Sequence, residues 1–391
     1  MTNIFVSLKL SVLCALAVFL AACGSVPART SAAKGKAAVQ QQARQNVRIL
    51  LAENRKQVPF KHSGTVYIYT QDKNQKFKIS TPGTLNVKAL GGGKIRVGAL
   101  DAAQTVILEP APGTLLTFET NAYSGKFYLI PSGTTFHLVE HTGLENYLYG
   151  VLPYEMSYRW PTEALKAQAV AARTYTLKEL ERPKNKNFDL YSDVRSQMYK
   201  GGGKQFDSVK KAVDETRGET LKYQGKLFHT FYHGNCGGGT DDVKSWNPGA
   251  QSIKPLSGAK CKYDSHSANY SWTQKVPRSK LDAYTKSLGI PGKLKSIKIT
   301  RRTDTKRATN LAVKTAKGTK TVPCGKFRAA TGIKSCKITK ISIGGKEVTF
   351  KGRGSGHGVG MCQDGANGMA KAGKSYKQIL KNYYPGAELT R

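Results

Sequence analysis

The run from Leu144 to Glu181 constrains this chain more than any other stretch, because two helical patterns meet there around a single carboxylate. The first is Leu144-Glu-Asn-Tyr-Leu-Tyr-Gly-Val-Leu-Pro-Tyr-Glu-Met156, with Glu155 expected in the turn that follows it. The second runs from Trp160 to Tyr175 and opens with Pro161, a residue favoured at the first helical position because its missing N–H would be unpaired there anyway. Leu165, Ala169, Ala172 and Thr176 recur at helical spacing, and they are mostly small, so the helix can lie close to a neighbour. Lys166 and Arg173 stand two turns apart on another face. The pattern places one acid and two cations beside a closely packed helix.

Such a helix needs a layer to pack on. From Asn46 to Gly143 the chain is a series of short alternating or apolar runs punctuated by Gly, Pro, Asn and Asp, which predicts antiparallel strands. The runs include 47–51, 65–69, 77–79, 85–87, 95–97, 105–108, 115–118, 126–130 and 135–139. His62, His137 and His141 fall among them, and lone histidines in strands are more often structural than catalytic. Beyond the helices, Gly201-Gly-Gly203 permits tight backbone approach. Phe206 to Thr216 has the pattern of an amphipathic helix, and Gln224-Gly225 that of a hairpin turn. Residues 274–350 are strand-like and strongly basic, with Arg301, Arg302, Lys306 and Arg307. Charges protect exposed strand edges, and they also suit an anionic polymer. Ser375-x-x-Gln378 caps a last helix. The expected fold class is α+β: a helical core over 144–391 with glycine-rich loops, a β-rich N-terminal region over 46–143, and a basic β-rich insertion at 274–350.

Charge and the N-terminus narrow the function. Lys plus Arg number 62 against 25 Asp plus Glu, so the formal net charge is +37. That implies nucleic acid, anionic lipid or an acidic wall polymer as partner. Residues 1–22 hold one cation, Lys9, and then an apolar run, shorter than the roughly 20 residues a spanning helix needs. These are the proportions of a secretory signal peptide. It ends in Leu20-Ala-Ala-Cys23-Gly24, which looks like a bacterial lipobox with Cys23 as the lipidated residue. Residues 23–45, rich in Ala, Ser, Lys and Gln, then form a lipidated tether. The expected location is the cell envelope, on the periplasmic side of a membrane if the cell is Gram-negative, with a lipid anchor and no nucleic-acid partner.

Of seven cysteines, Cys14 lies in the signal and Cys23 in the lipobox. Cys236, Cys261, Cys324, Cys336 and Cys362 remain, an odd number in a compartment where disulfides form. Cys324 with Cys336 is a plausible local bridge, and one thiol must stay free or bind something. The chain has no His-Glu-x-x-His zinc helix and no Cys-x-x-Cys pair. The Gly352–Gly360 run lacks dinucleotide spacing and a βαβ context, and Ser355 lacks the Gly-x-Ser-x-Gly frame.

Four blocks are more specific. They are Glu155 with the Pro161–Tyr175 helix, Ser192-Asp-x-x-Ser-Gln-x-Tyr199, Tyr232-His-x-x-Cys-Gly-Gly-x-Thr240, and Gly356-His-Gly-Val-Gly-Met-Cys-Gln363 through Tyr383-Tyr-Pro-Gly386. In this order they resemble the stage II sporulation protein D family, which includes amidase enhancers of the LytB type. Phe327-Arg328 with Lys334-Ser335 resembles a weaker family block. The likeness covers about residues 144–390, and more loosely the β-rich part from 46.

The resemblance implies a lytic transglycosylase of peptidoglycan. Such an enzyme cuts the MurNAc–GlcNAc bond of glycan strands, best after an N-acetylmuramoyl-L-alanine amidase has stripped the stem peptides, and leaves a 1,6-anhydro end. Glu155 matches the catalytic acid. Lys166 and Arg173 match positions expected to hold the N-acetyl or lactyl groups. Ser196, Gln197, Tyr199 and Gln363 are expected to supply hydrogen bonds and a stacking face, and His357 either to polarise substrate or to lock its loop. No cofactor is required for this chemistry. His233, Cys236 and Cys261, with His266, are candidate zinc ligands because some family members look metal-containing, and a Cys236–Cys261 disulfide competes with that reading. Cys362 stands where many family members have Ser. Two alternatives stay open: a non-catalytic, peptidoglycan-binding amidase enhancer, and plain hydrolysis with Asp193 as a second carboxylate.

Overall fold

The structure, a computed structural model, describes residues 46–182 and 187–391. The signal segment 1–22, Cys14, Cys23 and the tether 23–45 lie outside the described residues. Among the described residues, no helix is long and apolar enough to cross a membrane.

Alternation becomes a pair of packed sheets. Strands Asn46–Arg55, Val66–Thr70, Lys76–Ile79, Val106–Pro110, Lys126–Ser132 and Thr135–Gly143 belong to a seven-stranded sheet. Its edge strand, Leu190–Tyr191, comes from beyond the helices and lies parallel to Asn46–Arg55. A second sheet has six strands, including Gln57–His62, Leu100–Ala102 and Asn121–Tyr123, which the sequence pattern did not mark because they are short or carry Pro59. In Gln57–His62, Val58, Phe60 and His62 are buried while Gln57, Pro59 and Lys61 are exposed. That is the period of a sheet with one wet face. Phe60 of the smaller sheet meets Phe127 of the larger one at 5.3 Å between ring centroids, so the inner faces share one core.

Strand Thr135–Gly143 runs straight into the first of seven α-helices among the described residues. These are α1 (Leu144–Glu155), α2 (Thr162–Leu180), α3 (Asp207–Glu215), α4 (Arg278–Ser287), α5 (Cys324–Thr331), α6 (Gln363–Lys371) and α7 (Tyr376–Tyr383). Glu155 is the last residue of α1, not part of a turn beyond it. Pro153, without an N–H, sits in that last turn, and Met156 already has extended backbone, so the helix stops there. Pro161 is the N-cap of α2 rather than its first helical residue, which is Thr162.

Helix α2 is largely buried. It packs against α1, α3, α6, α7 and strand Thr220–Tyr223. Ala164, Ala167, Ala169, Ala171 and Ala172 let these neighbours come close. Neither Lys166 nor Arg173 is left free for a ligand, which corrects the expectation for both. Arg173 is fully buried, and its Nε and Nη2 donate to the two oxygens of Glu145 at 3.0 and 2.7 Å. Its other donors reach Glu219 O at 3.1 Å and Val213 O at 3.2 Å. A guanidinium with its donors spent on the core cannot hold a ligand. Lys166 is ion-paired to Glu163 and Glu215 at 3.0 and 2.6 Å.

The triple glycine does allow close approach. Gly201 has φ +80°, and a Cβ on it would stand 2.1 Å from Ala122 O. Tyr199, expected to stack on sugar, is instead buried and donates to Glu140 Oε2 at 2.7 Å. Burial pushes Glu140 up to about 7, against hydrogen bonds from Tyr199 O–H and Gly125 N–H.

Strand Ser271–Pro277 pairs antiparallel with Glu347–Arg353, Ser271 opposite Arg353, and so closes off residues 271–353. Inside lies a separate core that includes Trp272, Leu281, Phe327 and Phe350. The Cys324–Cys336 disulfide starts at α5 within it. Lys298, Arg301, Arg302 and Lys306 are exposed, but Arg307 is buried and donates to Asp241 Oδ2 at 2.8 Å, which docks the insertion onto the body. The capping box of Ser375 and Gln378 starts α7.

Arg173→Leu should cost about 3–5 kcal/mol in denaturant unfolding because it strands Glu145 in the core. Adding Glu145→Leu should recover part of that loss. In native protein, stability should fall as pH rises from about 4.5 to about 7, because the raised Glu140 pKa makes its neutral form the favoured one in the fold. The fall should be on the order of 3 kcal/mol, and Glu140→Gln should flatten that slope.

Candidate active site

A cleft of about 800 Å³ opens at the end of α1. Three parts of the chain build its walls: Glu155 and Tyr175 from α1 and α2, the segment Val194–Met198, and the insertion residues Arg328 and Lys334. Phe231, Tyr232, His233, Trp246 and the Ser355–His357 loop complete it. Glu155 is the one carboxylate among the described lining residues, which also include Arg195, Arg328 and Lys334.

Burial pushes the Glu155 carboxyl above its ordinary range. Two donors oppose that shift: Met198 N–H, 2.8 Å from Oε1, and the Gln363 side chain. The acid is therefore held in place by donors while its proton is retained by desolvation. Gln363 is itself buried as the first residue of α6, and it also donates to Gln168 on α2 at 3.4 Å. It does not line the cleft; it orients Glu155.

Gln197 has a similar office. It is buried, its Oε1 accepts from Thr176 at 2.9 Å and Tyr147 at 3.3 Å, and its amide donates to Tyr232 Oη at 2.9 Å. These bonds fix the strand of backbone whose Met198 N–H reaches Glu155. Ser196 lines the cleft while its Oγ accepts from Tyr191 N–H at 3.2 Å. Asp193 does not line it. Arg195 clamps Asp193 at 2.8 Å and holds its carboxyl below the usual range, so no second acid stands beside Glu155 among the described lining residues.

His357 locks its loop. Val359 N–H donates to its Nδ1 at 3.1 Å, which leaves Nε2 to donate to Tyr232 O at 3.0 Å. Both nitrogens are spent on backbone, and burial drives the ring down to about 3, so it stays neutral. Its face stacks on Trp246 at 4.6 Å, with the indole 40% exposed as a platform in the cleft. His233 differs: Nδ1 bonds to Val359 O at 3.1 Å, and the buried Nε2 has no protein partner. Trp246 carried no individual signal in the sequence, and Arg328 lies far along the chain from Glu155. The weak Phe327-Arg328 block was the one available hint.

The expected metal set is only partly assembled. Cys236 and Cys261 meet, but His233 is not in their group and His266 instead bonds Asn367 at 3.4 Å. Asp264 and Cys362 occupy the places expected for imidazoles. The donor set that forms is thus three sulfurs and a carboxylate, which suits a soft or borderline divalent cation better than the predicted one.

Comparison with known proteins agrees with the sequence blocks. A family model described as stage II sporulation protein matches residues 132–223, which span the acid, α2 and the Ser192–Tyr199 block. An uncharacterized protein of Brachyspira hyodysenteriae is 37% identical over 279 residues, covering 68% of this chain and 72% of its own. Stage II sporulation protein D of Bacillus amyloliquefaciens is 32% identical over 279 residues, covering 66% and 77% respectively. The amidase enhancer of Bacillus subtilis is 31% identical over 295 residues, 62% of this chain but only 40% of that longer protein. The chain belongs to the stage II sporulation protein D family.

In a carboxyl NMR titration, Glu155 should titrate above an exposed glutamate. Gln363→Leu removes a donor to the anion and should move it further up, so that the protonated form persists to higher pH.

Proposed function

We propose that this protein acts on the bacterial cell wall as a peptidoglycan lytic transglycosylase, with Glu155 as both acid and base. The observation that carries this reading is the single desolvated carboxyl on the cleft wall. Ordinary glycosidases use two carboxylates. With one, the substrate must supply the nucleophile. Protonated Glu155 gives its proton to the glycosidic oxygen of the MurNAc–GlcNAc bond as the C1–O bond breaks. The muramyl C6 hydroxyl closes on C1, and the Glu155 carboxylate takes the proton that this hydroxyl loses. No water is consumed, the product carries a 1,6-anhydro end, and the acid is regenerated.

The other lining residues take roles their geometry allows. Trp246 offers a sugar-stacking face in the cleft. Arg195, Arg328 and Lys334 favour anionic glycan. Lactyl carboxylates become free when an N-acetylmuramoyl-L-alanine amidase removes the stem peptides, so peptide-stripped strands are the preferred substrate. One observation favours a second reading, the likeness to an amidase enhancer: the same cleft would hold glycan for an amidase without cutting it. We also propose export through residues 1–22 and anchoring through lipidated Cys23. The region 46–143 then serves as a β-rich module beside the catalytic domain 144–391, with its basic insertion at 274–350.

Amidase-treated and intact glycan strands should be digested with the native chain and with Glu155→Gln, and the products weighed. Anhydro ends from the native chain alone are expected, with a loss of 100-fold or more in Glu155→Gln, on the order of what general acid catalysis contributes. Glycan binding without cleavage by the native chain would overturn the enzymatic reading in favour of the enhancer. Cys23→Ser should abolish lipid labelling and release the chain from the membrane fraction.

A further inference from the structure

Behind the cleft wall lies a cluster that the proposed reaction does not use. Cys236, Cys261, Asp264 and Cys362 are all buried, and each puts one ligand atom within 4.8 Å of the others. None lines the cleft. The three cysteines are free, while Cys324 and Cys336 are already paired. We propose that these four residues form a structural metal site that takes one tetrahedral zinc ion through three thiolates and one carboxylate.

Spacing supports this. Ligands about 2.3 Å from a tetrahedral zinc stand ~3.8 Å from one another, so the observed cluster needs only small side-chain adjustment to close. The surroundings also suit thiolates. Cys236 N–H and Gly365 N–H both donate to Cys362 Sγ, at 3.2 and 3.3 Å. Cys362 is the N-cap of α6, where the helix end favours negative charge. Gly238 N–H donates to Asp264 Oδ2 at 3.0 Å, and the Tyr383 hydroxyl lies 3.1 Å from Cys261 Sγ. Gly237 and Gly238 have φ +67° and +101°, which lets the loop after Cys236 turn its N–H groups back on the cluster. Lys337 Nζ, bound to Gly237 O at 2.8 Å, adds positive charge nearby. At Gly365 a Cβ would come within 2.7 Å of Cys261 Sγ, so the chain keeps that space clear.

A disulfide satisfies fewer of these groups. Any pair that bridges leaves the third thiol and the Asp264 carboxylate buried together with their donors. A cation satisfies all four at once, which is the usual condition for burying charge. With four protein ligands the sphere is closed and offers no position to substrate, so the role is structural. The site would tie three segments: the loop after His233, the turn at 261–264, and the first turn of α6. Tyr232–His233 pairs in parallel with Met361–Cys362, so the metal sits where a wall of the cleft joins the helix that carries Gln363. This inference stands without the transglycosylase reading.

The full chain, produced with zinc and purified under reducing conditions, should hold about one zinc per chain by elemental analysis. Removal of zinc with a chelator should lower the Tm, and zinc alone should restore it. Cobalt loading should give the near-ultraviolet thiolate-to-metal band and the visible bands of a tetrahedral site. Cys261→Ser and Cys362→Ser should lose stoichiometric metal, whereas the double variant Cys324→Ser/Cys336→Ser should keep it. Asp264→Cys should keep the metal and strengthen the thiolate band. Native chain without zinc or cobalt binding overturns the proposal, as does an intact mass and peptide map showing a disulfide among Cys236, Cys261 and Cys362. Metal retained by both Cys261→Ser and Cys362→Ser overturns it equally.

Discussion

The contact on which the rest of the helical core depends is the fork between Arg173 and Glu145. It joins α2 to the first turn of α1, and through Val213 O and Glu219 O it also holds the end of α3 and the turn that follows. A buried ion pair adds little net stability over a well-packed apolar pair, but each partner is costly to leave alone. Its effect is on register: only one rotation and height of α2 puts the guanidinium against both carboxylate oxygens and both carbonyls. Once that register is set, Tyr175 reaches the cleft and Gln168 stands behind Gln363. The end of α1 then brings Glu155 to the cleft wall.

At that wall the chemistry follows from a balance between burial and donors. Desolvation alone would raise a glutamate without orienting it. Met198 N–H and Gln363 orient it, and they lower the pKa by less than burial raises it. The cleft that results is contributed by the helical core, by loops around His233 and His357, and by the insertion. Arg328 and Lys334 of the insertion reach the cleft, and Arg307 docks the insertion through Asp241.

Some of this was legible in the sequence. Period-two runs between 46 and 143 became strands because every residue in such a run must choose a wet or a dry face, and that choice is local. The capping box at Ser375 and the glycine turn after Gln224 are equally local. The short strands at 100–102 and 121–123 were not legible, since partners far along the chain hold them in their sheet. Asp264 gave no sign of belonging with Cys236 and Cys362, because the separations are irregular and only folding closes them.

Residue types and their order were therefore enough to identify an α+β chain of this family and to single out Glu155 and the glycine-rich blocks. What they could not supply was orientation. Arg173, Tyr199 and Gln363 look alike in sequence as polar groups near an acid. In the fold the first is spent on Glu145, the second on Glu140 and the third on Glu155 itself. The physical reason is that hydrogen-bond capacity is finite and directional: whether a buried polar side chain serves the core, the acid or a ligand depends on which partner stands within about 3 Å, and only tertiary structure sets that distance.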